Sequence, residues 1–190
     1  MKSKIITIAG ALGSGKSSTA KLVAQALGYR HFSSGDLFRQ IAAERSVSIE
    51  EINHVAELEK EIDHAVDEKL RGLVNENNLV IDSRTAFHWI PSSFKVYLDL
   101  EPHAAAERIF NHIKKEGRVS QEASSVEQIL AATKDRQASE KKRYWNLYRL
   151  DVENLSPFDA VIDTGPIPLQ GVADLVVEKY KGWLATDNAQ

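Results

Sequence analysis

The sequence contains no cysteine, which excludes disulfide bonds, thiolate zinc sites and cysteine nucleophiles. It also has no excess of basic residues, because 24 lysines and arginines stand against 27 aspartates and glutamates. The formal net charge of -3 argues against a general nucleic-acid binder, which needs a strongly basic face. A small anionic ligand is still compatible with this balance, since it needs only a local cluster of arginines.

Long apolar runs are absent as well. No window approaches the length of a membrane span, and the apolar run in the opening MKSKIITIAG is too short for a secretory signal. The 190 residues, 43% of them hydrophobic and 27% charged, fit one domain with a full core. We expect a cytoplasmic monomer that has neither a membrane partner nor a stable nucleic-acid partner.

The most informative stretch is residues 4–19, KIITIAGALGSGKSST, where a short apolar run leads through a glycine-rich turn into a helix-forming segment. It satisfies G-x-x-x-x-G-K-S/T, the pattern of the phosphate-binding P-loop. Glycines let backbone N-H groups curl around a polyphosphate, the lysine supplies charge, and the serine hydroxyl can ligate Mg²⁺. A turn that binds nothing is the alternative, and the flanking strand and helix disfavour it. The predicted ATP-binding residues are Gly10, Gly13, Ser14, Gly15, Lys16, Ser17 and Ser18.

Short apolar runs alternate with segments of helical spacing along the chain. The predicted strands cover residues 5–8, 29–33, 79–81, 94–100 and 159–163. The predicted helices cover residues 20–27, 37–42, two segments within 47–77, 103–115, 126–150 and 169–184. Gly28 and Gly117 are expected to end helices, Ser48 to open one, residues 120–125 to form a mobile loop, and residues 185–190 to fray. This alternation predicts an α/β fold whose five-stranded parallel sheet is covered on both faces.

Candidate polar residues follow every predicted strand, at the carboxyl ends where parallel sheets bind their ligands, and two of these segments carry an arginine. Ser34 and Asp36 follow the second strand, either of them as a possible helix cap, and Arg39 lies one turn later. Asp82 ends the third strand, with Arg84 two residues on. Asp82 has the Walker-B form that holds Mg²⁺ or its water shell, or else it caps a turn. For Arg39 the alternative is a solvated charge on a helix.

A third group lies on the long late helix, where Arg136, Glu140 and Arg143 share one face at i, i+4 and i+7. A salt-bridged surface helix explains this spacing equally well. The competing interpretation is a lobe that closes over a transferring phosphoryl group and excludes water.

With these residues assembled, the sequence resembles nucleoside monophosphate kinases, and most closely the short cytidylate kinases typical of archaea. The resemblance runs from the P-loop to about Thr164 and is most specific in its late block. It rests on SSGDLFRQIAAERSVSIEEI, EIDHAVDEK, VIDSRTAFHW and RQASEKKRYWNLYRLDVENLSPFDAVIDT. It implies a three-layer P-loop kinase fold with a core of about 1–36, 75–113 and 136–184, an NMP-binding lobe of about 37–74 and a LID of about 114–135.

The resemblance also implies roles for individual residues. Catalytic roles fall to Lys16, Asp36, Arg84, Arg136 and Arg143, and metal binding to Ser17 and Asp82. Contacts to the acceptor nucleotide fall to Ser34, Gly35, Asp36, Arg39, Arg84, Thr85 and Glu140. Glu140 matches a carboxylate that lies between two arginines in bacterial relatives.

Two positions depart from the family pattern. Ser83 replaces the glycine before the strand-end arginine, and Thr85 replaces the aspartate that helps to read cytosine in the bacterial long form. Asp63 or Asp67 could instead accept a hydrogen bond from the cytosine amine, although both also fit as surface carboxylates. Three aromatic residues on the late helix are expected to pack between lobes rather than to stack on bases, namely Tyr144, Trp145 and Tyr148.

The sequence thus predicts transfer of a phosphoryl group from ATP-Mg²⁺ to CMP or dCMP. A nucleoside monophosphate is already a dianionic nucleophile at neutral pH, so this reaction needs charge neutralisation and alignment rather than a covalent catalyst. Two alternatives remain open. The first is a kinase for AMP, another nucleoside monophosphate or a small alcohol, for which Asp36 is the candidate base. The second is a P-loop protein that senses nucleotides without turnover.

Overall fold

The computed structural model describes residues 3–115 and 125–186. The predicted helix end at Gly117, residues 120–124 of the predicted mobile loop and residues 187–190 of the tail lie outside these ranges. The described strands are β1 Ile5–Gly10, β2 Arg30–Ser33, β3 Leu79–Asp82, β4 Phe94–Asp99 and β5 Ala160–Asp163. The described helices are α1 Lys16–Leu27, α2 Ser34–Glu44, α3 Ile49–Leu58, α4 Lys60–Gly72, α5 Ala86–Trp89, α6 Pro102–Lys115, α7 Val126–Tyr148 and α8 Leu169–Ala185.

The five strands form one sheet in the order β2-β3-β1-β4-β5, and every neighbouring pair is parallel. The predicted α/β fold with a five-stranded parallel sheet is therefore confirmed. β1 lies at the centre and is buried along its whole length. The chain crosses from one side of β1 to the other between β3 and β4, and such a crossover opens a ligand crevice at the carboxyl ends of the strands. The glycine-rich loop that follows β1 lies at this crevice.

The side chains of a strand alternate between the two faces of the sheet, and helices cover both faces. Ile6 and Ile8 of β1 point into a core that α1 and α8 complete, with Val176 and Tyr180 among its members. Ile5 points into the opposite core, which also contains Ile81, Val66 and Leu70. Within residues 3–115 and 125–186, no helix has the length and apolar character needed to cross a membrane.

Helices α2, α3 and α4 carry a small core of their own, formed by Ala42, Ile52, Ala56 and Ile62. The predicted capping signal at the start of α3 is confirmed, because Ser48 Oγ accepts from Glu51 N at 3.1 Å while Ser48 N donates to Glu51 Oε2 at 2.7 Å. Helix α4 also packs on a face of the sheet, since its Val66 and Leu70 lie in the core that contains Ile5 and Ile81.

Two local expectations were wrong. Helix α2 already begins at Ser34, and its cap is the side chain of Ser33, which accepts from Asp36 N at 3.2 Å. Neither Ser34 nor Asp36 is the cap, because the strand leads directly into the helix without an intervening turn. The one-turn helix α5 was missed, since four residues are too few to display a helical period.

Two glycines provide a direct check on this backbone. Gly28 ends α1 in the left-handed region at φ 66°, whereas Gly182 lies within α8, and an added Cβ would meet no atom within 4 Å at either position. We expect Gly28→Ala to destabilise the protein by about 1 kcal/mol and Gly182→Ala to stabilise it by about 0.5–1 kcal/mol. Urea unfolding of both variants measures the two changes. Changes of the same sign would contradict the observed ends of α1 and α8.

Candidate active site

The loop after β1 wraps around the ammonium group of Lys16. Lys16 Nζ donates to Gly10 O at 2.9 Å and to Ala11 O at 2.6 Å, while Ser14 Oγ donates to Ala11 O at 2.8 Å. Burial lowers the pKa of Lys16 to about 7, and the positive charge of Arg84 acts in the same direction. The predicted P-loop lysine is thus placed where the strand, the loop and the first helix meet.

Two glycines of this loop lie so close to neighbouring elements that no side chain would fit. A Cβ added to Gly13 would lie 2.9 Å from the backbone oxygen of Ala105 in α6, and one added to Gly10 would collide with Leu98 O in β4. At these two positions the neighbouring backbone of the protein itself leaves no room for a side chain. The loop therefore packs tightly on the sheet, while Ser18 is exposed on α1.

Ser17 and Asp82 lie side by side at the entrance of this loop. Ser17 Oγ donates to Asp82 Oδ2, and Asp82 Oδ1 is 3.2 Å from His31 Nε2. Both Asp82 oxygens thus contact side chains of other elements, Ser17 on α1 and His31 on β2. His31 was not among the predicted site residues, because nothing in its local sequence places it beside Asp82.

The oxygen pair of Ser17 and Asp82 fits Mg²⁺. Mg²⁺ prefers oxygen ligands and is held by one or two protein groups together with water and substrate phosphates. Across residues 3–115 and 125–186, no group of three or more histidine and carboxylate side chains could hold a metal without such help. The donor set therefore suits a cation that arrives with a polyphosphate.

A cleft of about 470 Å³ opens next to this loop. It lies among the first residues of α2, the residues that follow β3, and helices α3, α4 and α7. It brings together seven residues of the predicted site, namely Ser34, Gly35, Arg84, Thr85, Arg136, Glu140 and Arg143. Segments far apart in the sequence thus form one wall, as the carboxyl edge of a parallel sheet allows.

Glu140 lies between two arginines at the centre of the cleft. Its Oε2 is 2.7 Å from Arg84 Nη1, and its Oε1 accepts from Arg136 Nε at 2.9 Å. The Glu140 side chain is buried, with 4% of its area exposed. The surface-helix interpretation of this spacing is therefore wrong for Glu140, because Arg84 comes from another part of the chain and the carboxylate is shielded from water.

Arg143 lines the same cleft but is fully engaged by two other helices. Its Nε lies 3.0 Å from Asp63 Oδ2, its Nη2 donates to Asp63 Oδ1 at 3.3 Å, and its Nη1 donates to Asn53 O at 3.1 Å. Burial raises the pKa of Asp63 although Arg143 opposes that change. Arg143 thus ties α7 to α3 and α4 through a buried ion pair.

Asp36 and Arg39 do not reach the cleft. Arg39 Nη2 donates to Asp36 Oδ1, and both side chains are more than half exposed. Ser34, two residues before Asp36, does face inward, and its Oγ donates to Asp82 O at 3.4 Å. The structure therefore separates the predicted acceptor residues into an inner set and an exposed pair.

Asp63 and Asp67 lie one turn apart on α4, and both are 4% exposed. The alternative of two ordinary surface carboxylates was therefore wrong. Both side chains line the cleft.

Comparison with known proteins agrees with this geometry. The family described as "AAA domain" matches residues 9–129, which include the phosphate loop and Asp82. A cytidylate kinase of Methanothrix thermoacetophila is 37% identical over 161 residues, covering 85% of this chain and 88% of that protein. Cytidylate kinases of Archaeoglobus fulgidus and Pyrococcus abyssi are 33% and 36% identical, covering 91% and 90% of this chain and 92% and 91% of those proteins. The chain belongs to the cytidylate kinase family.

Solved structures show the same fold at low sequence identity. A gluconokinase from Sinorhizobium meliloti superposes with a TM-score of 0.61 at 14% identity, covering 97% of this chain and 95% of that one. A shikimate kinase from Bacteroides thetaiotaomicron gives a TM-score of 0.60 at 12% identity, covering 95% and 98%. This member of the cytidylate kinase family therefore has the P-loop kinase fold, and the predicted family resemblance is confirmed.

The buried pair of Arg143 and Asp63 should show strong energetic coupling. We expect Arg143→Met or Asp63→Leu alone to destabilise the protein by about 3–5 kcal/mol, because each leaves an unpaired buried charge, and the double variant to recover much of that loss. Urea unfolding of all three variants measures the coupling. The exposed pair of Arg45 and Glu59 is the matched control, with an expected coupling of about 1 kcal/mol or less. Losses that simply add in the double variant would refute the buried pairing.

Lys16 should gain a proton when a triphosphate binds. Its pKa of about 7 leaves it mostly neutral at pH 8, and the negative phosphates raise that pKa, so we expect an uptake of up to about one proton per MgATP bound. Calorimetry at pH 8 in buffers of different ionisation enthalpy measures this number. The Lys16→Arg variant is the control, because a guanidinium is charged throughout and should bind without uptake. Equal uptake by both proteins would contradict the assignment.

Proposed function

We propose that this protein transfers the γ-phosphoryl group of Mg²⁺-bound ATP to CMP or dCMP, giving ADP and CDP or dCDP. One observation carries the proposal. Arg84 and Glu140 line the cleft and also a second cavity of about 420 Å³, whose walls include Gly10 and Ala11 of the phosphate loop. In this proposal, the same charged pair borders the donor side and the acceptor side. The relatives named cytidylate kinases supply the identity of the acceptor.

On the donor side, we propose that the backbone of residues 10–18 cradles the β- and γ-phosphates while Lys16 contributes its charge. Ser17 and Asp82 would hold Mg²⁺, which neutralises phosphate charge when it is bound. The contact between Ser17 Oγ and Asp82 Oδ2 supports this assignment, because one cation can bind both oxygens. The positive end of the α1 dipole points at the same place.

On the acceptor side, we propose that Arg84 and Arg136 bind the monophosphate together with Ser34, Gly35 and Thr85. A dianionic phosphate needs no general base, and its attack requires that two polyanions be brought together in line. Glu140 would fix the directions of both guanidinium groups and keep them apart until phosphate competes for their N-H donors. Its buried position between them supports this role.

The other predicted residues do not contact the proposed phosphate positions directly in the observed arrangement. We propose that Arg143 positions α7 against α3 and α4 rather than contacting phosphate, since Asp63 and Asn53 engage its guanidinium. Arg39 would leave Asp36 for the acceptor phosphate when the lobe closes, and Asp36 would then face the Mg²⁺ water shell. Their exposure supports such a movement, because few contacts hold them in place.

The division into lobes is part of the proposal. The core would comprise about 1–36, 75–113 and 136–184, the NMP-binding lobe about 37–74 and the LID about 114–135. The separate small core of Ala42, Ile52, Ala56 and Ile62 supports the second unit. The further expectations of a cytoplasmic monomer without nucleic-acid or membrane partner stay predictions.

Two alternatives are weaker than this proposal. Phosphorylation of an alcohol would require a general base, and the candidate that the sequence offers, Asp36, is exposed and paired with Arg39. A nucleotide sensor without turnover would not need arginines that border the donor and acceptor sides together. A kinase for AMP or another monophosphate is distinguished from the proposal only by the base.

An assay of ADP release with CMP, dCMP, UMP, AMP and GMP tests the proposal. We expect turnover to be fastest with CMP or dCMP, and Arg84→Ala to lower kcat/KM for CMP by about 100-fold or more because phosphate alignment is lost. The affinity for ATP should change far less. Arg45→Ala, which removes an exposed arginine paired with Glu59, is the control and should leave kcat/KM unchanged. Failure of the wild-type protein to phosphorylate any pyrimidine monophosphate would refute the proposed function.

A further inference from the structure

The cleft extends beyond its arginines toward helix α4. Arg84 and Thr85 are consecutive residues and both line it. Thr85 Oγ1 donates to Asp67 Oδ1 at 3.4 Å, so the wall continues from the arginine directly to this aspartate. A nucleoside monophosphate held at Arg84 by its phosphate would direct its sugar and base along the cleft. Asp67 is therefore within the part of the wall that a base would meet.

Three carboxylates line the cleft, and two of them already have cationic partners. Glu140 is held by Arg84 and Arg136, and Asp63 is held by Arg143. Asp67 differs, because no cation lies within ion-pair distance of it among the residues that the structure describes. The guanidinium of Arg71, whose charge acts on Asp67, stacks on the ring of Trp89 at 3.9 Å. Of these three carboxylates, Asp67 is thus the one that forms no ion pair with a described residue.

Neutral donors hold Asp67 in a fixed orientation. Its Oδ1 accepts from Trp89 Nε1 at 2.8 Å and from Thr85 Oγ1, and its Oδ2 accepts from Tyr148 OH. Each carboxylate oxygen can accept about two hydrogen bonds, so Oδ2 retains capacity for one more donor. Burial raises the pKa of Asp67, and the hydrogen bonds from Tyr148 and Trp89 counter that rise. The side chain is a built acceptor site that lacks one donor.

The chemistry of the pyrimidine bases makes such an acceptor selective. Cytosine carries an amino group at C4, where uracil carries a carbonyl oxygen. An amine would complete the hydrogen bonding of Oδ2, whereas a carbonyl would place lone pairs against lone pairs in a buried site. A buried acceptor left facing another acceptor loses its hydration without compensation. Selection by such a mismatch is much stronger than selection by shape alone.

We propose that Asp67 reads the exocyclic amine of the acceptor base and thereby selects cytosine over uracil. This inference rests on the proposed function and assigns a residue for base choice within the same cleft. It decides between the two carboxylates of α4, because Asp63 is already committed to Arg143. Trp89, Thr85 and Tyr148 are positioning residues that hold Asp67 toward the base.

The test compares kcat/KM for CMP and for UMP in the wild-type protein and in Asp67→Asn. An amide can still accept from Trp89 with its oxygen, and its NH₂ group can donate to the uracil carbonyl. We therefore expect the ratio of kcat/KM for CMP to that for UMP to fall by about 10- to 100-fold, with KM for ATP nearly unchanged. Glu68→Gln makes the same chemical change at the next residue, which is exposed, and should preserve the ratio.

Tyr148→Phe provides a second variant, in case the amide substitution prevents folding. It leaves the carboxylate in place but removes one orienting donor, so we expect a smaller fall in the same ratio, of several-fold, again with KM for ATP unchanged. If the wild-type protein phosphorylates CMP but Asp67→Asn and Tyr148→Phe lower CMP and UMP turnover equally, Asp67 is merely structural and the inference is overturned. If the wild-type protein phosphorylates no monophosphate, it is the proposed function that fails instead.

Discussion

The site depends on charge compensation around Lys16. Lys16, Arg84 and Arg136 bring three basic side chains to one crevice, and the carboxylates of Glu140 and Asp82 oppose their positive charge. Like charges this close in a poorly solvated site would repel strongly without the carboxylates. Glu140 meets this constraint by lying between two guanidinium groups, and Asp82 does so while facing Ser17.

The sheet is what brings these charges together. With β1 at its centre, the ends of β3 and β4 flank the glycine-rich loop on either side. β3 delivers Asp82, and the residues after it deliver Arg84 and Thr85. β4 and α6 press so closely on the loop that Gly10 and Gly13 have no room for a side chain. Position in the sheet, rather than loop chemistry alone, thus determines where the loop lies relative to these charged groups.

Helix α7 connects the regions of the site. It provides Arg136 and Glu140 to the cleft, Arg143 to Asp63 and Asn53, and Tyr148 to Asp67. Ser139 adds a hydrogen bond to Glu57 on α3. A movement of α7 would therefore change the surroundings of Arg84 and of Asp67 together. Such coupling is useful to an enzyme that must assemble two substrates before phosphoryl transfer and exclude water while it occurs.

The sequence by itself determined what local rules control. The apolar runs and helical spacing specified the five strands, the P-loop motif located Lys16 and Ser17, and Gly28 and Ser48 marked helix ends within a residue. Capping, periodicity and turn chemistry act over about four residues, so a single sequence contains them. The tertiary structure alone decided which charges meet. Arg143 lies 80 positions from Asp63 and Tyr148 lies 81 from Asp67, whereas Arg39 pairs with its neighbour Asp36 and leaves the cleft. Those choices depend on burial and on contacts between distant elements, which spacing along the chain cannot specify.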